Sequence, residues 1–172
     1  MELVIYPADI LRRRAALVPD PKSAAFACGE MLELMRARDG IGLAAPQVGI
    51  SGRFFVLGLP RDRDRVFINP VIAATSRRRV RSEESCLSLP GVTVEVPRFA
   101  WVDVCAWDES GEPFELRARG LLARAVQHEL DHLNGMLCID RIDQKRRERI
   151  ERTMARRVEA RSYGTTAGHS SR

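Results

Sequence analysis

No stretch of this chain approaches the ~20 consecutive apolar residues that cross a bilayer, which excludes a helical membrane protein. The opening Met1-Glu2-Leu3-Val4-Ile5-Tyr6-Pro7 lacks a basic segment and a small-residue cleavage site. No secretory or transit segment is therefore expected, no membrane partner, and the expected location is cytoplasmic. Cysteine is scarce and unpaired in pattern: the four residues Cys28, Cys86, Cys105 and Cys138 are scattered without a repeated spacing. Without an export signal they are expected to be reduced thiols rather than a disulfide framework. Cys28 falls in a helical pattern and Cys105 in a strand pattern, where a buried free thiol is the ordinary state. Histidine is scarcer still, with three in the chain.

What is present suits one ordinary domain. The chain has 172 residues, 45% of them apolar and 30% charged, which excludes a wholly disordered chain and allows a single hydrophobic core. The formal net charge of +5 is unevenly spread: Gln144 to Arg172 holds nine basic residues against three acidic ones. The body of the chain is therefore close to neutral, and the basicity belongs to the C-terminal segment alone.

Periodicity orders the elements. After a short strand-like N-terminal piece, Pro19-Asp20-Pro21 interrupts the chain, and Ser23 is positioned to cap a helix reaching about Asp39. The segment Gly40 to Gly49, with three glycines and a proline, breaks that helix. Strands are expected at Arg53 to Leu59, Val66 to Ile72, Val92 to Val96, Trp101 to Trp107 and Phe114 to Arg119. A second helix begins near Gly120 and ends at Asn134-Gly135, where glycine suits a C-terminal cap. A third spans about Asp143 to Arg161, with i,i+4 charge pairs such as Glu148 and Arg152. The expected fold is α+β: a single domain, residues 1–161, of mostly antiparallel strands around a central metal-binding helix, with a basic C-terminal helix. Residues 162–172 are small and polar and are expected to form a disordered tail.

The second helix carries His128-Glu129-Leu130-Asp131-His132. Residues four apart stand above one another on a helix, so His128 and His132 can direct imidazole nitrogens at one metal ion. Glu129 projects about 100° around the helix, within reach of a water on that ion. The alternative is a pair of surface histidines on an amphipathic helix. Two imidazoles leave a tetrahedral metal with an open position and one missing protein ligand. Candidates are Cys86 in the segment Glu83 to Pro90, Glu148 or Glu151 in the charged helix, and His169 near the end. Cys86 could equally be a small buried hydrophobe.

Three ordered motifs narrow these choices. The chain resembles the peptide deformylases in Gly40-Ile-Gly-Leu-Ala-Ala-Pro-Gln47, Glu84-Ser-Cys-Leu-Ser88 and Gln127-His-Glu-Leu-Asp-His132, a likeness extending from Leu3-Val-Ile-Tyr-Pro7 to the basic helix. The resemblance implies a metal-dependent hydrolase that removes the formyl group from the N-terminal formylmethionine of newly made polypeptides. It implies metal ligands Cys86, His128 and His132 with water fourth, and Glu129 as general base. It further implies that Gln47 and the Leu87 backbone N–H hold the formyl oxygen. Ile41, Gly42, Ser85, Leu121 and Ala125 are the implied substrate contacts. The implied metal is iron(II), while thiolate plus imidazole donors also suit zinc, nickel or cobalt. Ser85 stands where the family usually has glycine, which bears on substrate fit rather than on reaction class. Arg98 is read as a substrate contact or a surface residue, and Asp131 as solvated or as orienting a ligand histidine. The basic helix suggests the ribosome as a partner, against a plain solvated helix. Two other functions compete: a metallopeptidase with a third ligand other than Cys86, and a ribosome- or RNA-binding protein with a vestigial site.

Overall fold

In the computed structural model, which describes the backbone of residues 1–166 and the side chains of residues 1–157, the glycine-rich interruption ends in a short strand, β1 (Gly42–Ala44). It pairs antiparallel with β2 (Phe54–Leu57), which pairs with β3 (Arg65–Thr75). The chain then leaves this sheet for a separate ribbon of β4 (Arg79–Ser85) and β5 (Thr93–Phe99). It returns as β6 (Trp101–Trp107) against β3 and β7 (Pro113–Arg119) against β6. The sheet order is β1-β2-β3-β6-β7, every pairing antiparallel, so β1 is an edge strand beside the later site.

Three helices cover these strands: α1 (Ala25–Ala37), α2 (Gly120–Leu133) and α3 (Gln144–Thr166). All four residues of β2 are buried because the sheet is covered on both faces there, which is why the run shows no alternation. Phe55 and Leu57 face α2, while Phe54 and Val56 pack with Met31 and Met35 of α1. Around α2, Phe55 stacks on Phe67 at 4.7 Å and Phe114 meets Phe67 edge-on at 5.3 Å. The fully buried rings of Phe55 and Phe67 each contribute about 2–3 kcal/mol by burial alone. A third cluster lies under the ribbon, where Val94, Val96 and Leu89 pack with Leu137, Ile139 and Met154 of α3. Strand β7 hands directly to α2 at Gly120, whose φ of +55° is open to glycine but strained for other residues.

The expected class and the alternating faces of β6 are observed, and several boundaries differ. Helix α1 starts at Ala25: residues Pro21–Ala24 form a tighter 3-10 turn, and Asp20 rather than Ser23 accepts the first backbone N–H. The N-terminal piece forms no strand, yet it ties two loops together through Val4 N–H to Gln47 O (2.8 Å) and Tyr6 N–H to Ser88 O (3.0 Å). Strand β4 is absent from the expected set, because its one strongly apolar residue, Val80, is exposed and its most buried residue is Glu84. A strand whose core face is charged carries no hydrophobic alternation to read. Helix α3 continues to Thr166, beyond the expected end at Arg161; Gly164 costs about 1 kcal/mol relative to alanine without breaking a helix. The remainder of the expected tail, residues 167–172, lies outside the described residues.

Candidate functional site

Cys86, the first residue after β4, comes to the polar face of α2. Its Sγ and one ring nitrogen each from His128 and His132 all lie within 4.8 Å of one another. Sγ is 3.3 Å from His132 Nε2, and the two rings sit edge-on with centroids 5.0 Å apart. Metal–sulfur bonds of about 2.3 Å and metal–nitrogen bonds of about 2.0 Å require donors at such separations. This donor chemistry fits a divalent metal of zinc or iron(II) type. The other candidate ligands among the described residues, Glu148 and Glu151, are not brought here. Glu148 bonds Gln144 and pairs with Arg152, Glu151 pairs with Arg147, and His169 lies outside the described residues.

Glu84 holds His128 from behind. Its Oε2 lies 2.8 Å from His128 Nδ1. Burial opposes ionisation of Glu84, but hydrogen bonds from Arg98 and His128 outweigh it and draw its pKa down to about 2. An ionised carboxylate only accepts, so His128 Nδ1 donates and Nε2 is left as the ligand atom. Arg98 is itself buried and forked: Nε and Nη2 donate to the two oxygens of Glu84 at 2.7 and 2.9 Å, and Nη1 donates to Asp131 at 2.6 Å. Arg141 closes the network on Asp131 through Nε at 3.0 Å and Nη2 at 2.5 Å. Two sequence readings are thereby corrected. Arg98 neither faces substrate nor lies on the surface, and Asp131 orients Arg98 rather than a histidine. Buried charges need partners more than they need solvent, and each supplies the other's.

Glu129 is the next residue along α2 from His128. It is 4% exposed, and its Oε2 has no hydrogen-bond partner among the described residues. Burial pushes its pKa up to about 7, above the ordinary carboxylate range. Gly42 lies against it: a Cβ at that position would fall 2.3 Å from Glu129 Oε1, so only glycine leaves the carboxylate room. Gln47, in a 3-10 turn after β1, accepts from Ala44 N–H at 2.8 Å. Its Nε2 therefore points at Cys86 Sγ (3.5 Å) and Ser88 Oγ (3.2 Å).

These groups open onto a cleft of about 840 Å³. Its walls include Ile41, Gly42, Gln47, Ser85, Cys86, Leu87, Ala125, His128 and Glu129. His132 is buried behind the wall. Leu121 is not part of the wall; it sits one turn beyond Ala125 on α2 and is partly exposed. Arg124, which the sequence does not single out, lines the cleft instead. Ser85 Oγ is 3.0 Å from Thr93 Oγ1 across the ribbon. Glu84 and Arg141 are also functional groups that sequence reasoning misses. Glu84 lies inside one of the three motifs, but its partners are fixed by contacts far away in sequence.

Residues 1–148 match the family model described as polypeptide deformylase.

The chain belongs to the peptide deformylase family.

Peptide deformylases are enzymes that remove the N-formyl group from nascent peptides, and this chain is an enzyme of that family. It is 42% identical over 153 residues to the peptide deformylase of Thermodesulfovibrio yellowstonii, covering 86% of this chain and 92% of the relative. Among solved structures, the peptide deformylase of Thermus thermophilus superposes with a TM-score of 0.83 at 38% identity, covering 96% of this chain and 98% of the other. The Ehrlichia chaffeensis peptide deformylase in complex with actinonin gives 0.88 at 30% identity, over 91% and 96% of the two chains. No helix among the described residues is long and apolar enough to cross a membrane.

Proposed function

We propose that Cys86, His128 and His132 hold one divalent metal ion, and that the enzyme acts in the cytoplasm on the N-terminal formylmethionine of newly made polypeptides, releasing formate. The observation that carries this reading is a compact thiolate–imidazole donor set beside a buried carboxylate with an oxygen unpartnered among the described residues. When bound, the ion would polarise the formyl carbonyl and ease deprotonation of water. The resemblance favours iron(II), and the same donors suit zinc, nickel or cobalt.

The chain's own groups then take these roles. Glu129, with its pKa pushed up to about 7, takes a proton from water near neutral pH and returns it to the departing amine. Gln47 is the neutral donor for the oxygen that becomes negative: its Oε1 is engaged by Ala44 N–H, which leaves Nε2 facing the site. Leu87 N–H, in the residue after Cys86, is the second donor. The open edge of β1 suits an added strand of substrate backbone at Gly42. Ile41 and Ala125 supply apolar wall for the methionine side chain, and Ser85 borders the peptide on the other side. The ribosome is proposed as a partner through the exposed stripe Lys145, Arg152 and Arg156 of α3. Replacing those three by alanine is the cleaner test, since truncation would also remove the buried Met154.

Formate release from formyl-Met-Ala-Ser, by protein purified anaerobically with iron(II), tests the reaction. Release is expected, with a loss of about 10²–10⁴-fold in Glu129→Ala. Metal-loaded protein that releases no formate would overturn the reading. Unchanged metal content in Cys86→Ala would overturn the ligand set. Actinonin, seen bound to the Ehrlichia chaffeensis relative, is expected to inhibit.

A further inference from the structure

A cationic groove beside the cleft plays no part in this mechanism. Arg146, Arg149 and Arg157 of α3 lie against Gly91 and Thr93 and enclose about 270 Å³. The three occupy positions i, i+3 and i+11 and so share one face of the helix. None of their guanidinium groups pairs with a carboxylate among the described residues, although the Arg146 backbone N–H donates to Asp143 Oδ1 at 2.9 Å. By contrast, the Arg147 side chain on another face pairs with Asp140 and Glu151, and Arg152 with Glu148. Arg157 donates Nη1 to Pro90 O at 2.9 Å, a contact that positions the guanidinium without neutralising it.

This groove adjoins the cleft. Gly91 belongs to the walls of both. Ser85 at the cleft is paired directly with Thr93 at the groove. Paired residues stand about 5 Å apart, and the two further residues to Gly91 add at most ~7 Å. The groove therefore lies about 5 Å (Thr93) to at most ~12 Å (Gly91) from Ser85, the reach of about two to four residues of extended peptide at ~3.3 Å each. The charge along the ribbon also changes sign at this pair, for Glu83 and Glu95 face each other on its far side.

We propose that the Arg146–Arg149–Arg157 groove is a subsite for a carboxylate side chain of the formylated peptide, at its fourth or fifth residue, and that the enzyme thereby prefers early acidic sequences. This rests on reading the cleft as the site of deformylation. A peptide carboxylate suits the groove better than nucleic acid does. The arginines gather around one small space that adjoins the cleft at Gly91, whereas a polynucleotide presents an unbroken row of phosphates.

The test compares kcat/KM on formyl-Met-Ala-Ser followed by Glu-Glu, Gln-Gln or Lys-Lys, for the native enzyme, Arg146→Ala/Arg149→Ala and Arg149→Glu. The native enzyme is expected to favour Glu-Glu over Gln-Gln about fivefold at low salt, through KM, with the preference shrinking as salt rises. The double variant is expected to lose the preference, and Arg149→Glu to shift it toward Lys-Lys. Turnover of formyl-Met-Ala-Ser should be unchanged in both, because neither arginine touches the catalytic groups. Equal native rates on the three pentapeptides would overturn the proposal, as would a preference surviving the double replacement. Loss of ribosome binding in the double variant without any peptide preference would reassign the groove to RNA and overturn it too. Calorimetric binding of the same pentapeptides without the formyl group repeats the comparison without turnover. Failure of the deformylase reading is thereby separated from failure of the subsite.

Discussion

Helices α2 and α3 are both rich in ionisable side chains, and they use them in opposite ways. On α2, Glu129, Asp131 and His132 are buried. Asp131 is bound by two arginines from other elements, and His128 is bound by Glu84 from the ribbon. On α3 the charges are largely exposed, and the pairs Arg147–Glu151 and Glu148–Arg152 are one turn apart on the same helix. Burial makes the difference. A charge without water depends on a particular partner in a particular place, while a solvated charge depends on almost nothing. The buried set can therefore hold catalytic groups in position, and the exposed set remains available to charged partners.

The contrast is open to direct attack. The largest effect is expected from Arg98→Ala, which removes the shared cation between buried Glu84 and Asp131 and leaves them only His128 and Arg141. Chemical denaturation should show a loss of about 3–5 kcal/mol. Replacing Gln47 by leucine keeps a similar volume and removes the donor aimed at the site. Steady-state assays should show kcat falling about 10²–10³-fold, alongside a stability loss of about 1–3 kcal/mol from the buried Ala44 N–H left without its acceptor. Glu84→Gln keeps the shape but weakens the grip on His128. Metal affinity, followed by competition with a chelator, should fall about 10–100-fold. The smallest effect is expected from Arg152→Ala on α3, which should change stability by less than about 0.5 kcal/mol in the same denaturation experiment. An Arg152 effect comparable to that of Arg98 would erase the distinction between the two helices.

Gly42→Ala sharpens the comparison from the substrate side. A Cβ there would press on Glu129 Oε1, so the base must turn or the strand must shift. The melting temperature should barely move while kcat/KM falls steeply. An active Gly42→Ala enzyme would show that Glu129 has more freedom than its surroundings suggest.

Elements with a regular hydrophobic period are legible in the amino-acid sequence itself. The alternation of Val102, Val104 and Ala106 predicts β6, and helical spacing predicts α2 to within a residue or two at each end. Strand β4 is illegible for the same reason in reverse. Its buried face presents Glu84, and a charge facing inward makes sense only once Arg98 and His128 are known to meet it. The site divides along the same line. His128, Glu129 and His132 lie within one turn and share a local geometry. Cys86 is one ligand candidate among several until the motif resemblance singles it out, and Gln47 is reached only by that resemblance, since no spacing in the chain links either to α2. Arg98 is misread because an arginine looks the same in sequence whether it meets solvent or sits 5% exposed between two carboxylates.

The sequence alone determined the antiparallel α+β character, the pair of imidazoles on one helical face and the charge asymmetry of the C-terminal helix. All of these follow from periods of two or 3.6 residues and from composition, which are local quantities. Tertiary structure alone decided that Glu84 holds His128, that Asp131 serves Arg98 and that Leu121 stands outside the cleft wall. It also decided which arginine side chains of α3 have no carboxylate partner among the described residues. Those outcomes depend on which groups lose water together, and that is set by contacts between segments far apart in the chain, where no local pattern records the partner.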